Sequence, residues 1–218
     1  AEGVTAVQTY NTQYMSTDEV RAYLDRLRAH GLYGCFYPWP SSAFMKNFRQ
    51  PVSDKEEQLV RERIRALRDH PALLAYYMWD EPELRPMLIA RSDRLYEIVA
   101  EEDPYHPCIM LNDTVRGIHK YRNGGDVLMP DPYPLFNEGG FAGRPIEYTS
   151  TFMQACREAS RGQKAWWITP QAFDYYMNKP NSRPPNLVEL RNQQLQAFIN
   201  GARGILWYTY SHRYNYES

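Results

Sequence analysis

Two adjacent carboxylates, Asp80 and Glu81, are the residues of this chain best suited to acid–base chemistry. They lie in the stretch Tyr-Tyr-Met-Trp-Asp-Glu-Pro-Glu at 76–83, next to large aromatic rings. Burial against Trp79 and repulsion from Asp80 would both raise the pKa of Glu81, and a general acid near neutral pH requires such a rise. The alternative is that Asp80 or Glu81 caps a helix that has Pro82 at its first position. The sequence therefore predicts a general acid at Glu81, with helix capping as the alternative.

Other polar and aromatic residues follow directly after apolar, strand-like segments. If those segments are parallel strands of a (β/α)₈ barrel, the loops after their C-terminal ends form the active site. Aromatic rings pack on the C–H faces of sugars, so we expect Trp39 and Trp207 to stack on a carbohydrate, with core packing as the alternative for both. The predicted substrate contacts are Tyr10, Asn11, Tyr37, Trp39, Trp79, Asn112, Asp131, Tyr133, Gln171, Trp207 and Tyr210.

Strand-like and helix-like segments alternate along the whole chain. The predicted strands are 4–10, 32–39, 73–79, 108–111, 126–129, 165–168 and 204–208. Capping-box spacing begins helices at Ser16, Ser53 and Asn186, and further helices are predicted at 88–101 and 149–160. Such alternation implies right-handed βαβ units and a parallel sheet.

The regular βα period predicts an α/β fold of the TIM-barrel type. A complete (β/α)₈ barrel has eight strands, whereas the chain offers seven strand-like segments. We therefore expect residues 1–218 to form a single barrel domain that lacks the first βα unit and the last helix. Missing barrel segments or further domains are then expected elsewhere in the full-length protein.

The composition excludes several classes of partner. A net charge of −1 cannot steer a polyanion, so no nucleic acid is expected. Three cysteines without ligand spacing disfavour zinc and a disulfide framework, and Asn112 with Asp113 offers too few oxygens for a metal. We expect no cofactor, no metal and no membrane span. The 18 Tyr, 5 Trp and 8 Phe indicate either a carbohydrate cleft or a tyrosine-rich surface.

The segment Asp80-Glu81-Pro82 resembles the Asn-Glu-Pro motif at the end of strand four in the clan of retaining barrel glycosidases, where the Glu is the acid/base. The chain also resembles bacterial glycoside-hydrolase-like barrels in five short segments, at 76–82, 103–107, 131–134, 170–173 and 201–205. The resemblance implies a glycosidase that hydrolyses O-glycosidic bonds of a carbohydrate, with Glu81 as acid/base. A polysaccharide substrate would favour a secreted or periplasmic location.

Gln171 departs from the pattern of that clan, because the clan has a nucleophilic Glu at the end of strand seven. In a first hypothesis the substrate assists, as in the N-acetylhexosaminidases that the Asp-Glu pair resembles, and Asp80 orients the acetamido group. In a second hypothesis Asp113 or Asp131 supplies the other carboxylate, about 5 Å from Glu81 for retention or roughly 6.5–9.5 Å for inversion. In a third hypothesis the barrel binds carbohydrate, or serves as a scaffold, without cleaving.

Overall fold

A computed structural model of the chain describes residues 3–40, 47–135, 144–145, 147–174 and 183–209. The chain divides into two compact units. The first comprises Ala1–Leu111 and Lys120–Val127, and the second comprises Asn112–His119 and Leu128–Ser218. No helix in the described ranges is both long enough and apolar enough to cross a bilayer.

Parallel strands, hydrogen-bonded in chain order, form the centre of the first unit. They are β1 (Ala6–Gln8), β2 (Tyr33–Phe36), β3 (Leu73–Asp80) and β4 (Cys108–Asn112). The middle of β3 is buried, which suits a strand whose two faces are both covered. A short 3₁₀ turn, Tyr10–Gln13, follows β1, and another, Pro82–Leu84, follows β3.

Helices α1 (Thr17–Ala29), α2 (Asp54–Leu67) and α3 (Ile89–Glu102) alternate with these strands. Ser16 and Glu19 form the predicted capping box of α1, in which the Ser16 side chain accepts from the Glu19 N–H. Ser53 and Glu56 do the same for α2. These helix starts are determined by residues three positions apart, so the local sequence was sufficient to predict them.

The second unit contains β5 (Val127–Pro130), β6 (Ala165–Ile168) and β7 (Gly204–Ile205), again in chain order. Helix α4 (Val115–Tyr121) precedes β5, α5 (Tyr148–Ser160) precedes β6, and α6 (Leu187–Ile199) precedes β7. The buried side chains of this unit include Leu128, Met153 and Ile168. Asn186 and Glu189 form the capping box that the sequence predicts for α6.

The alternation of parallel strands with helices confirms the α/β class and is consistent with part of a (β/α)₈ barrel. That the barrel lacks its first unit and its last helix stays a prediction, as does the assignment of 1–218 to one domain. Several elements differ from expectation, and β1 and β2 are both shorter than the predicted strands 4–10 and 32–39. The bounds of helix α4 were not predicted, although His119 was expected to be helical, because its seven residues are too few for a clear apolar period. The last strand ends at Ile205 rather than Tyr208, which forms only an isolated bridge to Gln171.

Candidate active site

The backbone turns sharply where β3 ends, at Glu81. This residue has φ 49° and ψ 57°, the left-handed conformation that residues other than glycine rarely adopt. Its N–H donates to the Leu111 carbonyl at 3.2 Å, and Leu84 N–H donates to the Glu81 carbonyl at 3.1 Å. This turn stands directly before Pro82. Left-handed side-chain-bearing residues are concentrated at functional sites, where the surrounding structure holds the strain.

Helix capping does not account for the two carboxylates. Glu81 stands at the N-cap position of the turn Pro82–Leu84, and Pro82 occupies its first position, as the alternative interpretation required. However, the Glu81 side chain makes no capping hydrogen bond. Asp80 directs its carboxylate to tyrosine hydroxyls instead. The acidic side chains are therefore placed at the strand end without a capping role.

Asp80 is held by two tyrosines from different parts of the first unit. Its Oδ1 accepts from the Tyr77 hydroxyl at 2.9 Å and from the Tyr10 hydroxyl at 3.2 Å. Burial raises the pKa of the Asp80 carboxyl above its ordinary value, and the two hydrogen bonds together with the nearby Arg85 guanidinium offset part of that rise. Both tyrosines use the same oxygen, so neither occupies Oδ2.

A small recess lies beside Asp80, with about 30 Å³ of space, enough for a water molecule or a small polar group. Its lining residues are Tyr10, Gln13, Tyr37, Trp39, Trp79, Asp80 and Arg85. The rings of Trp39 and Trp79 pack with centroids 4.3 Å apart and planes inclined by 32°. Trp39 is only 1% exposed, so its ring forms part of the packed wall, and an open sugar platform would require this wall to move.

Trp79 and Arg85 add a hydrogen-bond donor and a cation to the lining of this recess. The Trp79 Nε1 is buried and finds no hydrogen-bond acceptor among the described residues. The Arg85 guanidinium carbon lies 5.7 Å from the centroid of the Phe48 ring, a cation–π arrangement. Burial, and then the charge of Asp80, raise the pKa of Tyr37 well above its usual range, so this phenol stays a neutral donor. The recess thus combines one carboxylate with several donors and aromatic walls.

Asn11 and Tyr10 lie on the same turn but differ in their surroundings. Tyr10 reaches Asp80, whereas the Asn11 side chain is exposed and does not line the recess. Sequence reasoning did not identify Gln13, Tyr77 or Arg85 as neighbours of Asp80. Tyr77 lies within the segment 76–83, but it was not predicted as a substrate contact because only residues at the ends of strands were considered. No local pattern marked Gln13 or Arg85.

The second unit holds a pair of acidic residues, Asp113 and Asp131, with carboxylate oxygens within 4.8 Å of each other. Asp131 is buried, and its N–H donates to the carbonyl of Asn112, which is itself fully buried. Burial raises the pKa of Asp113, and the Arg144 guanidinium offsets part of the rise.

Gln171 is completely buried and its side-chain amide is used by the backbone. Its Oε1 accepts from Leu135 N–H at 2.9 Å, while its Nε2 donates to the carbonyls of Leu135 and Phe173, each at 3.1 Å. The amide of Gln193 brackets the Gln171 backbone in turn, accepting from its N–H and donating to its carbonyl. One acceptor and two donors are needed here, which an amide supplies and an ionised carboxylate cannot.

The remaining predicted contacts lie in the second unit or outside the described residues. Tyr133 packs edge-on against Phe173 with ring centroids 4.9 Å apart, and its carbonyl accepts from Arg144. Trp207 is 40% exposed, as a stacking platform requires. Tyr210 lies outside the described residues. The structure therefore brings Tyr10, Tyr37, Trp39 and Trp79 together around Asp80, and places Asn112 beside Asp131.

Comparisons with known proteins identify the fold. No family model and no curated protein matches the sequence. Among solved structures, a β-galactosidase from Bacillus circulans sp. alkalophilus has a TM-score of 0.66 at 11% identity, over 98% of this chain and 48% of that one. An exo-β-1,4-mannosidase from Opitutaceae bacterium strain TAV5 has 0.64 at 15%, over 95% and 46%. A β-galacturonidase from Eisenbergiella tayi has 0.61 at 18%, over 94% and 37%.

Such identities are too low to transfer an activity, and this chain spans less than half the length of each of these three enzymes. The agreement over almost the whole of the present chain nevertheless establishes the architecture. The chain has a glycoside-hydrolase-like fold.

Proposed function

We propose that the chain is the barrel portion of a glycoside hydrolase that cleaves an O-glycosidic bond of a carbohydrate. Glu81 acts as the general acid/base, and Asp80 orients or stabilises the substrate. The observation that carries the proposal is the end of β3, where Asp80 is fixed by two tyrosine hydroxyls and Glu81 follows in a left-handed conformation. The fold shared with carbohydrate-cleaving enzymes supports the same conclusion.

The two carboxylates have different tasks in this proposal. Glu81 gives a proton to the glycosidic oxygen as the bond to the anomeric carbon breaks, and later takes one from the incoming water. Asp80 keeps Oδ1 on its tyrosines and offers Oδ2 to an N–H or O–H of the sugar. The aromatic walls of the recess exclude water around that contact, which strengthens the hydrogen bond.

Substrate assistance is the form of the mechanism that we favour. The acetamido oxygen of an N-acetylhexosamine attacks the anomeric carbon while Glu81 protonates the leaving oxygen, and Asp80 accepts the acetamido N–H. This form needs no strand-seven nucleophile, which agrees with a Gln171 amide that is committed to Leu135 and Phe173. The alternative form takes its second carboxylate from Asp113 or Asp131, which lie together in the second unit.

A second candidate function is carbohydrate binding without cleavage, or a scaffold role. The buried Gln171 favours this second function. Its amide makes the hydrogen bonds that the surrounding backbone requires, and it cannot act as a nucleophile. Under this function the recess beside Asp80 would still recognise a sugar group. Turnover therefore separates the two functions, whereas binding alone does not.

The test compares nitrophenol release from nitrophenyl N-acetylhexosaminides and from the plain hexosides. We expect hydrolysis of the N-acetylated series, and Glu81→Gln should lower kcat by roughly 10²–10⁴-fold because the proton donor is lost. Glu83→Gln, which removes a neighbouring carboxylate from the same turn, is the matched control and should retain the wild-type rate. A preference for plain hexosides would exclude substrate assistance, and saturable sugar binding without turnover would favour the second function.

A further inference from the structure

Helix α2 carries an arginine, Arg63, whose guanidinium is buried without a counter-charge. The residue is 4% exposed, and no carboxylate of the described residues forms an ion pair with it. Burial lowers the pKa of the guanidinium to about 10, so it stays protonated at neutral pH. An unpaired buried cation is costly to folding, and an apolar side chain of the same length would avoid that cost. A reason other than stability is therefore needed for an arginine at this position.

The guanidinium holds the backbone of the turn that follows β1. One terminal nitrogen donates to the Met15 carbonyl and the other to the Thr12 carbonyl, both at 2.8 Å. The Arg63 Cζ also lies 5.9 Å from the centroid of the buried Phe36 ring, which supports the cation from one side. The two carbonyls are three residues apart, so the planar fork fixes both ends of one backbone segment.

That segment is connected to Asp80 by further hydrogen bonds. Thr12 donates its hydroxyl to the Thr9 carbonyl at 3.0 Å and accepts from the Tyr37 N–H at 3.3 Å. Tyr10, at the start of the same turn, donates to Asp80 Oδ1 at 3.2 Å. A continuous path of short contacts thus runs from Arg63 through the turn to the Asp80 carboxylate.

We propose that Arg63 is a positioning residue for the Asp80 carboxylate. It holds the turn Tyr10–Gln13 in the conformation from which the Tyr10 hydroxyl reaches Asp80. Its consequence for catalysis rests on the proposed function, but the geometric claim does not. Arg63 contacts neither Asp80 nor the recess itself. Its effect must therefore be carried entirely by Tyr10 and the backbone of the turn.

The experiment follows the pKa of Asp80 directly, by the pH dependence of its carboxyl carbon resonance in the full chain. Charged and titratable groups that act on this carboxyl are Tyr10, Tyr77, Tyr37 and Arg85, and Glu81 follows it in sequence. Removing the Tyr10 hydrogen bond by Tyr10→Phe should raise the pKa of Asp80. Arg63→Met should shift it in the same direction, because the turn is no longer held.

Double variants separate positioning from general loosening of the fold. The effect of Arg63→Met should be absent when Tyr10 is already Phe, whereas it should persist in full beside Tyr77→Phe, because Tyr77 lies on β3 outside the turn. Arg65→Met is the matched control, since Arg65 on the same helix is exposed and pairs with Glu102. It should leave the pKa of Asp80 unchanged.

An unchanged pKa of Asp80 in Arg63→Met, or a shift that simply adds to that of Tyr10→Phe, would overturn the inference. If Arg63→Met fails to fold, Arg63→Lys replaces it in the same double variants. Its single ammonium keeps the positive charge but holds one backbone carbonyl fewer. Arg63→Lys should raise the pKa of Asp80 by less than we expect for Arg63→Met. The titration needs no turnover, so an inactive protein would count against the proposed function and leave this result untouched.

Discussion

Two strand ends in this protein carry polar side chains that look alike in the sequence and differ in the structure. At the end of β3, in the first unit, Asp80 uses one carboxylate oxygen and Glu81 makes no capping bond. After β6, in the second unit, every hydrogen-bonding atom of the Gln171 amide is taken by backbone or by its neighbours. Neither tyrosine uses Asp80 Oδ2 at the first end, whereas the Gln171 amide at the second end holds the backbone of Leu135 and Phe173.

The backbone shows the same contrast. Glu81 has a left-handed conformation that costs free energy of about 1–2 kcal/mol for an L-residue with a side chain. Gln171 forms an isolated parallel bridge to Tyr208, and the Gln193 amide hydrogen-bonds its backbone N–H and carbonyl. A left-handed residue and a carboxylate with only one oxygen on the tyrosines occur together at the first strand end. This coincidence is a better indication of function than the presence of polar residues alone.

The largest effect that would test this comparison comes from Gln171→Glu. An ionised carboxylate at this buried position would face the Leu135 and Phe173 carbonyls without the two donors they now receive. We expect the free energy of unfolding to fall by about 3–5 kcal/mol, the usual effect of an uncompensated buried charge. Urea denaturation measures it, with the exposed Gln163→Glu as control. A loss no larger than in the control would mean that position 171 is open to solvent or substrate.

A smaller effect, of opposite sign, is expected from Glu81→Asn. Asparagine tolerates the left-handed conformation better than glutamate, so the free energy of unfolding of the variant should be higher by about 0.5–1 kcal/mol. Any hydrolysis should be lost, because the proton donor is removed. Thermal unfolding and nitrophenol release are measured on the same preparation. Glu83→Asn, two residues later in the turn, should not gain stability. If Glu81→Asn is no more stable than the wild type, the strain at this residue is not a cost of function.

The smallest effect concerns the pH dependence of Asp80→Asn. Because burial raises the pKa of Asp80, the folded state binds its proton more tightly than the unfolded state does. Wild-type stability therefore decreases as pH rises from the unfolded value of about 3.9 through the folded pKa, and the uncharged amide of the variant has no such loss. The free energy of unfolding of Asp80→Asn, relative to that of the wild type, should therefore increase over that pH interval and stay constant at higher pH. A stability difference that is the same at acidic and neutral pH would contradict the raised pKa.

Local sequence was sufficient for the helix starts that carry a capping box. The capping boxes at Ser16, Ser53 and Asn186 are as predicted, because each depends on two residues three positions apart. The α/β class followed from the alternation of patterns, which also needs no knowledge of distant contacts.

The partners of the candidate site depended on the tertiary structure. Tyr10 and Asp80 are 70 residues apart, and no periodic pattern connects them. Whether Trp39 is a wall or a platform depends on Trp79 covering its face, which is a packing result rather than a property of tryptophan. Arg63 gave no sequence signal at all, because a helical arginine is ordinarily solvent-exposed.

The sequence by itself thus determined which residues stand at the end of β3, including the adjacent acids and the proline that follows them. Only the tertiary structure decided how many of their polar atoms were left for a ligand. Covalent order and short-range backbone sterics act within a few residues and can be seen in the sequence. Hydrogen-bond satisfaction and burial, by contrast, are set by groups that folding brings together from distant positions, and these distinguish Asp80 from Gln171.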